Sequence, residues 1–184
     1  MTFFKSSDKA YSGLAKVFHW LTALAVFVLF GLGMWMDNLS YNDAWYRKAP
    51  ALHMSIGVTL AFFVLARVFY RLSSRYPKPI DSQKPIEKTA AKVVHLALYI
   101  LMFVMFISGY LIATAKGDPL VVFDLFSIPA VFTADNLEDQ MGELHEIIAF
   151  IIIGLAVLHG LAALKHHFMD KDSTLKRMTV SGDQ

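Results

Sequence analysis

Four apolar runs dominate the chain, at 17–36, 51–70, 93–115 and 147–164. A helix needs about 20 apolar residues to cross the hydrocarbon core of a bilayer. Inside that core every backbone polar group must be satisfied within the segment, so runs of this kind fold as helices. Only 17% of the 184 residues are charged, against about 25% in an ordinary soluble domain. Four spans and their short connections use up the length and leave no room for a separate soluble domain. The expected fold is an all-α transmembrane four-helix bundle, a single domain over residues 1–184. Its helices are expected near 15–36, 51–73, 91–115 and 143–168.

Positive charge gathers on one side of these spans. Lys5, Lys9 and Lys16 precede or open the first. Arg67, Arg71, Arg75, Lys78, Lys84, Lys88 and Lys92 lie around the second connection, and Lys165, Lys171, Lys176 and Arg177 follow the fourth span. The other two connections hold only Arg47, Lys48 and Lys116. The bias of Lys and Arg toward the cytoplasm predicts that both termini are inside. The opposite face carries Asp37, Asp43, Asp118, Asp124, Asp135, Glu138, Asp139, Glu143 and Glu146. The first run is too long, and lacks the cleavage site, for a removable signal. There is no cysteine, which excludes disulfides, zinc–thiolate sites and iron–sulfur clusters. Asp37-Asn38 stops the first helix, and Tyr76-Pro77 stops the second. Residues 120–132 are apolar but too short to span and contain Pro129, so they read as an interfacial or re-entrant piece.

Five histidines, His19, His53, His95, His145 and His159, sit at the ends of the apolar runs. An ionisable group in hydrocarbon is costly and marks a functional candidate. Imidazole is also a common ligand for metals and haem iron. One histidine at a helix end is usually an interfacial residue, but five at matching ends point to a buried cofactor. His53 and His145 begin helices that enter from outside, whereas His19 and His95 begin helices that enter from the cytoplasm. His159 follows His145 by 14 residues, about 21 Å of rise with a residual rotation of about −40°. Both therefore face the same interior, with His159 in the cytoplasmic half and His166 near the same stripe. The outer pair is His53 with His145. The inner pair is His159 with either His19 or His95, and His19 is favoured because Trp20 follows it at the start of a clean span.

Paired imidazoles without cysteine or carboxylate suit haem, whose porphyrin supplies the other donors, better than zinc or copper. Gly57, Gly142, Gly154 and Gly160 lie near these histidines. Arg67, Arg71 and Arg75 share a helical face, which reflects positive-inside bias or a grip on haem propionates. A haem-free metal-binding membrane protein would need carboxylates in mid-membrane, and the four runs contain none.

Several motifs extend along the chain: Tyr11-Ser12-Gly13-Leu14-Ala15-Lys16-Val17-Phe18-His19-Trp20, then His53-Met54-Ser55-Ile56-Gly57, then His95 with Leu98-Tyr99. The last are Glu143-Leu144-His145-Glu146, His159, His166-His167 and Lys171-Asp172-Ser173-Thr174-Leu175-Lys176-Arg177-Met178. In these the chain resembles, over nearly its whole length, the bacterial cytochrome b-561 family of four-helix dihaem membrane proteins, which includes superoxide:ubiquinone oxidoreductases. The resemblance implies two haem b groups, with metal ligands His53 and His145 for one and His19 and His159 for the other. It implies ubiquinone chemistry at the cytoplasmic haem, where His95, His166, His167, Trp20 and Lys16 would meet the quinone headgroup. His95 or His166 would supply a proton.

The resemblance further implies that superoxide gives its electron to the outer haem. The acidic outer face opposes an anionic donor, although Arg47 and Lys48 beside His53 could form a local cationic mouth. The acidic third loop would instead suit a basic electron-carrier protein. The expected function is electron transfer across the bacterial inner membrane, from superoxide or a soluble donor outside to quinone on the cytoplasmic side. The alternative is a quinol-linked subunit serving a partner dehydrogenase or soluble carrier. Lipid and quinone are the expected partners, with no nucleic acid, and the short loops favour a stand-alone monomer.

Overall fold

The computed structural model describes residues 3–7, 10–75 and 77–179. Lys9 and Tyr76, named above, lie outside the described residues. The elements run α1 (Gly13–Met36), α2 (Lys48–Ser73), α3 (Pro85–Thr114), β1 (Leu120–Val122), β2 (Phe126–Ile128), α4 (Leu137–Phe168) and α5 (Lys176–Thr179). The protein is mostly helical, and α1 to α4 are each long and apolar enough to cross a membrane. At 1.5 Å per residue, even the 24 residues of α1 extend about 36 Å, beyond a hydrocarbon core of about 30 Å.

The helices begin earlier than the apolar runs because their starts are built from polar and capping residues. Ser12 Oγ accepts the Ala15 N–H at 3.1 Å and caps α1. Pro50 falls in the first turn of α2, where proline removes no helical hydrogen bond. Pro85 occupies the first position of α3, and Glu87 reaches back to the Lys84 N–H at 3.0 Å. Glu138 and Asp139 lie in the first turn of α4, and Lys165, His166 and His167 in its last, the charge order that suits a helix dipole. As a result the histidines sit one to three turns inside their helices rather than at the first residue.

Residues 120–132 contain no helix and do not span. They contain a two-stranded antiparallel hairpin in the register Leu120↔Ile128, Val121↔Ser127 and Val122↔Phe126. β-branched and aromatic residues favour the strands. The turn places Phe123 and Asp124 at φ 48° and 58°, and the Phe123 N–H donates to Ser55 Oγ at 3.0 Å.

Helices α1 to α4 each contribute to two compact units. One, here the termini unit, comprises Met1–Ala23, Phe63–Leu98 and Gly154–Gln184; the other, the loop unit, comprises Leu24–Phe62 and Tyr99–Ile153. In the termini unit Phe18 packs edge-on to Phe63 with ring centres 5.0 Å apart. The Tyr70 hydroxyl donates to the Phe4 carbonyl and lies 2.5 Å from Ser12 Oγ. In the loop unit Phe30 meets Phe150 at 5.4 Å, and the Tyr110 hydroxyl donates to the Pro129 carbonyl while accepting the Val131 N–H.

Among the described residues the largest fully buried side chains are small or polar, Val64, Thr114, Ser12 and Ser108. Large apolar side chains such as Leu24, Phe62, Phe69 and Leu158 face outward. This inversion fits helices whose surroundings are lipid, since association then relies on close approach of small residues rather than on hydrophobic burial.

Candidate functional site

In the loop unit α2 brings His53 to face His145 on α4. Their ring centres are 6.2 Å apart and the ring planes cross at 63°. Glycines give the rings clearance. A Cβ at Gly33 would lie 3.5 Å from His53 Cε1, and one at Gly109 would lie 3.2 Å from His145 Cε1. His145 Nδ1 lies 3.0 Å from Ser108 Oγ, whereas His53 Nδ1 is buried with no hydrogen-bond partner. Arg47 and Lys48 are exposed, and the Lys48 ammonium stands over the Trp45 ring at 5.9 Å.

In the termini unit His19 of α1 faces His159 of α4, again with ring centres 6.2 Å apart, at an interplanar angle of 69°. His95 of α3 comes closer to His159, at 5.0 Å. Arg67 Nη2 lies 3.2 Å from His19 Nδ1, and Arg71 follows one turn later on α2. Lys16 is buried on α1, one turn before His19.

Beside this cluster the C-terminal tail closes back on the helices. The Trp20 indole N–H donates to the Met178 carbonyl at 2.9 Å. Gln83 Nε2 donates to Thr174 Oγ1 at 2.8 Å, and Arg177 to the Lys78 carbonyl at 2.7 Å. His166 is buried, with Nδ1 3.0 Å from Asp170 Oδ2 and 2.9 Å from Asp172 Oδ2. Neither carboxylate is aligned for a hydrogen bond to that nitrogen, so they meet the ring as charges. His167 packs against Phe168 at 4.8 Å, and its Nδ1 is buried without a hydrogen-bond partner. Burial pushes the Asp172 carboxyl up. Hydrogen bonds from Thr174, the His166 charge and the Gln83 amide outweigh that and hold it below the ordinary range.

Glu87, His166 and Asp170 bring ligand-type atoms within 4.8 Å of one another. The Lys165 ammonium bonds both carboxylates at 2.7 Å, so a cation already serves them.

Residues 10–180 match the family model described as prokaryotic cytochrome b561. The chain belongs to the prokaryotic cytochrome b561 family. It is 48% identical to cytochrome b561 homolog 2 of Escherichia coli strain K12 over 176 residues, covering 95% of this chain and 94% of that protein. It is 29% identical to the probable superoxide oxidase CybB of Yersinia pestis, over 92% and 96% of the two chains. Cytochrome b561 homolog 1 of E. coli K12 is 23% identical, over 87% and 91%. A cytochrome b561 is a membrane electron-transfer protein that binds b-type haem.

The residues present fit such a group. Two metal–nitrogen bonds of about 2.0–2.1 Å, plus about 1.1 Å from each nitrogen to its ring centre, require a centroid separation of about 6.3 Å. The His53–His145 and His19–His159 pairs stand at 6.2 Å. The His95–His159 pair, at 5.0 Å, is too close to hold an iron between its rings.

The glycines named from the sequence behave differently from those found at the rings. A Cβ at Gly57, Gly142, Gly154 or Gly160 would meet nothing within 4 Å. Ser108 meets His145 Nδ1, and Gly109 and Gly33 are the glycines at which an added Cβ would reach an imidazole; the sequence assigned none of the three this role. The Ser108-Gly109 pair inside an apolar span is the signal that could have found two of them, since small residues mark close approach between membrane helices.

Proposed function

We propose that this cytochrome carries electrons across the bacterial inner membrane from an outer donor to quinone on the cytoplasmic side. In this reading both termini are cytoplasmic, and one haem b is held in each unit. His53 and His145 are the ligands in the loop unit, and His19 and His159 those in the termini unit. The observation that carries the reading is the repeated 6.2 Å separation of two imidazole pairs. When bound, a haem with two histidine ligands supplies one-electron chemistry through its edge, with no open iron position for dioxygen.

The chain's own residues supply the rest. Arg67 places a cation beside His19, with Arg71 one turn further along α2, a pair suited to haem propionates. Quinone reduction takes up two electrons and two protons to give quinol. Lys16, Trp20, His95, His166 and His167 form the quinone-facing set. His166, with the exposed Asp170 carboxylate 3.0 Å and the Asp172 carboxylate 2.9 Å from its Nδ1, is the first proton-carrying candidate. His95, near His159 but outside the ligand spacing, is the second proton-carrying candidate.

On the outer side Arg47 and Lys48 receive the donor. Superoxide is the donor favoured by likeness to the Yersinia protein. A basic electron-carrier protein is the second reading. It is favoured by nine carboxylates against three cations in the two outer connections and the adjoining helix ends, with Lys116 already held by Glu138 at 2.6 Å.

The deciding experiment mixes haem-loaded protein with superoxide and oxidised ubiquinone. Rapid haem reduction and quinol formation are expected. Haem that stays oxidised under superoxide, yet is reduced by quinol or a basic carrier, overturns the superoxide donor in favour of the second reading.

A further inference from the structure

The Nδ1 atoms of the paired histidines are backed in different ways. Ser108 is almost wholly buried, at 1% exposure. Its hydroxyl donates to the Met105 carbonyl at 3.0 Å and lies 3.0 Å from His145 Nδ1. A serine hydroxyl has one hydrogen. With that hydrogen on the carbonyl, Oγ meets His145 only as an acceptor, so Nδ1 carries the proton and Nε2 keeps its lone pair. Gly109, the next residue, leaves the ring 3.2 Å of clearance from the Cβ it lacks. Across the pair, His53 Nδ1 has no hydrogen-bond partner.

The termini unit is backed in the opposite sense. Arg67 Nη2 stands 3.2 Å from His19 Nδ1. A guanidinium only donates and is always charged, so in this contact Nδ1 accepts and the ring proton sits on Nε2. Iron at Nε2 requires that proton to move to Nδ1 and the Arg67 N–H to turn aside, with the cation still beside the ring. An acceptor on Nδ1–H makes an imidazole a stronger donor to its metal and favours the oxidised iron. A cation beside a ligand does the reverse, because it stabilises the added electron.

We propose that Ser108 and Arg67 order the two haems in reduction potential. Ser108, acting through His145, sets the loop-unit haem low, and Arg67, acting beside His19, sets the termini-unit haem high. The inference rests on the ligand assignment proposed above. It makes Ser108 a positioning residue, and it biases the electron toward the unit that carries the quinone-facing side chains.

The test is redox potentiometry of purified haem-loaded protein, with haem per chain counted first. Ser108→Ala should keep two haems, raise the lower midpoint and leave the upper one in place, and Ser108→Thr should restore it. Arg67→Gln should depress the upper midpoint, with Arg67→Lys recovering it. In the His159→Ala background, where the loop-unit haem stands alone, the remaining midpoint should still respond to Ser108→Ala. Should Ser108→Ala lose a haem, Ser108→Cys, a weaker acceptor of similar size, replaces it. A two-haem Ser108 variant with both midpoints unmoved overturns the proposal and leaves the ligand assignment standing. Two haems retained in His145→Ala overturn the assignment itself.

Discussion

His53 and His145, 92 positions apart in the chain, hold their ring centres 6.2 Å from each other. The separation recurs between His19 and His159, in the other unit and with α1 in place of α2. Two pairs drawn from three helices have arrived at one spacing, the one that an iron between imidazoles requires.

Loss of either α4 ring should therefore remove one haem. His145→Ala and His159→Ala are each expected to take the haem content, read by pyridine haemochrome, from two per chain to one. His95→Ala should retain both, because its ring lies outside the ligand spacing. If His95→Ala lost a haem while His19→Ala kept two, the inner ligand would have to be reassigned.

The glycines opposite the rings are not equivalent. Gly109→Ala places a methyl group 3.2 Å from His145 Cε1, tighter than ordinary contact, whereas Gly33→Ala leaves 3.5 Å to His53 Cε1. Overpacking of this kind costs about 1–3 kcal/mol. Denaturant midpoints should fall for Gly109→Ala and barely move for Gly33→Ala. The low-spin electron paramagnetic resonance spectrum should shift for the first variant only.

Acid should release the tail. Asp172 is held below the ordinary aspartate value, despite burial, by Thr174, His166 and Gln83. A carboxylate depressed in the folded state adds stability that is complete above its unfolded value of about 3.9 and fades as pH falls through the folded one. The protection factor of the Thr174 amide, which donates to Asp172 at 2.7 Å, should therefore be high at neutral pH and fall below about pH 4, each rate being divided by the intrinsic one at that pH. Asp172→Asn should exchange quickly throughout, at a cost of about 1 kcal/mol.

Charge reversal at the outer cations separates donors. Arg47→Glu with Lys48→Glu should slow haem reduction by superoxide roughly tenfold or more and flatten its salt dependence, with an uncharged reductant unaffected. Equal rates with superoxide before and after would place the entry point elsewhere.

The spans were legible because each is an uninterrupted apolar run, and bilayer thickness leaves such a run few alternatives. The pairing of rings was legible in outline from helix arithmetic on His145 and His159. His19 was favoured over its rival His95 only because Trp20 follows it; the ring separations of 6.2 Å and 5.0 Å to His159 add a geometric difference between the two. The early start of α3 was hidden because Pro85 and Glu87 act through capping rather than hydropathy. Ser108 was missed because its meaning lies in a contact with a residue 37 positions away, which no local pattern encodes. The hairpin's strands were hidden because three residues on each side are too few to show a period in an apolar stretch.

Ser55 ties that hairpin to α2, two residues beyond His53, through its bond to the Phe123 N–H. The loop and the imidazole are thus mechanically linked within one helical turn. Displacing the hairpin turn would therefore strain a contact made within one helical turn of the His53 ring.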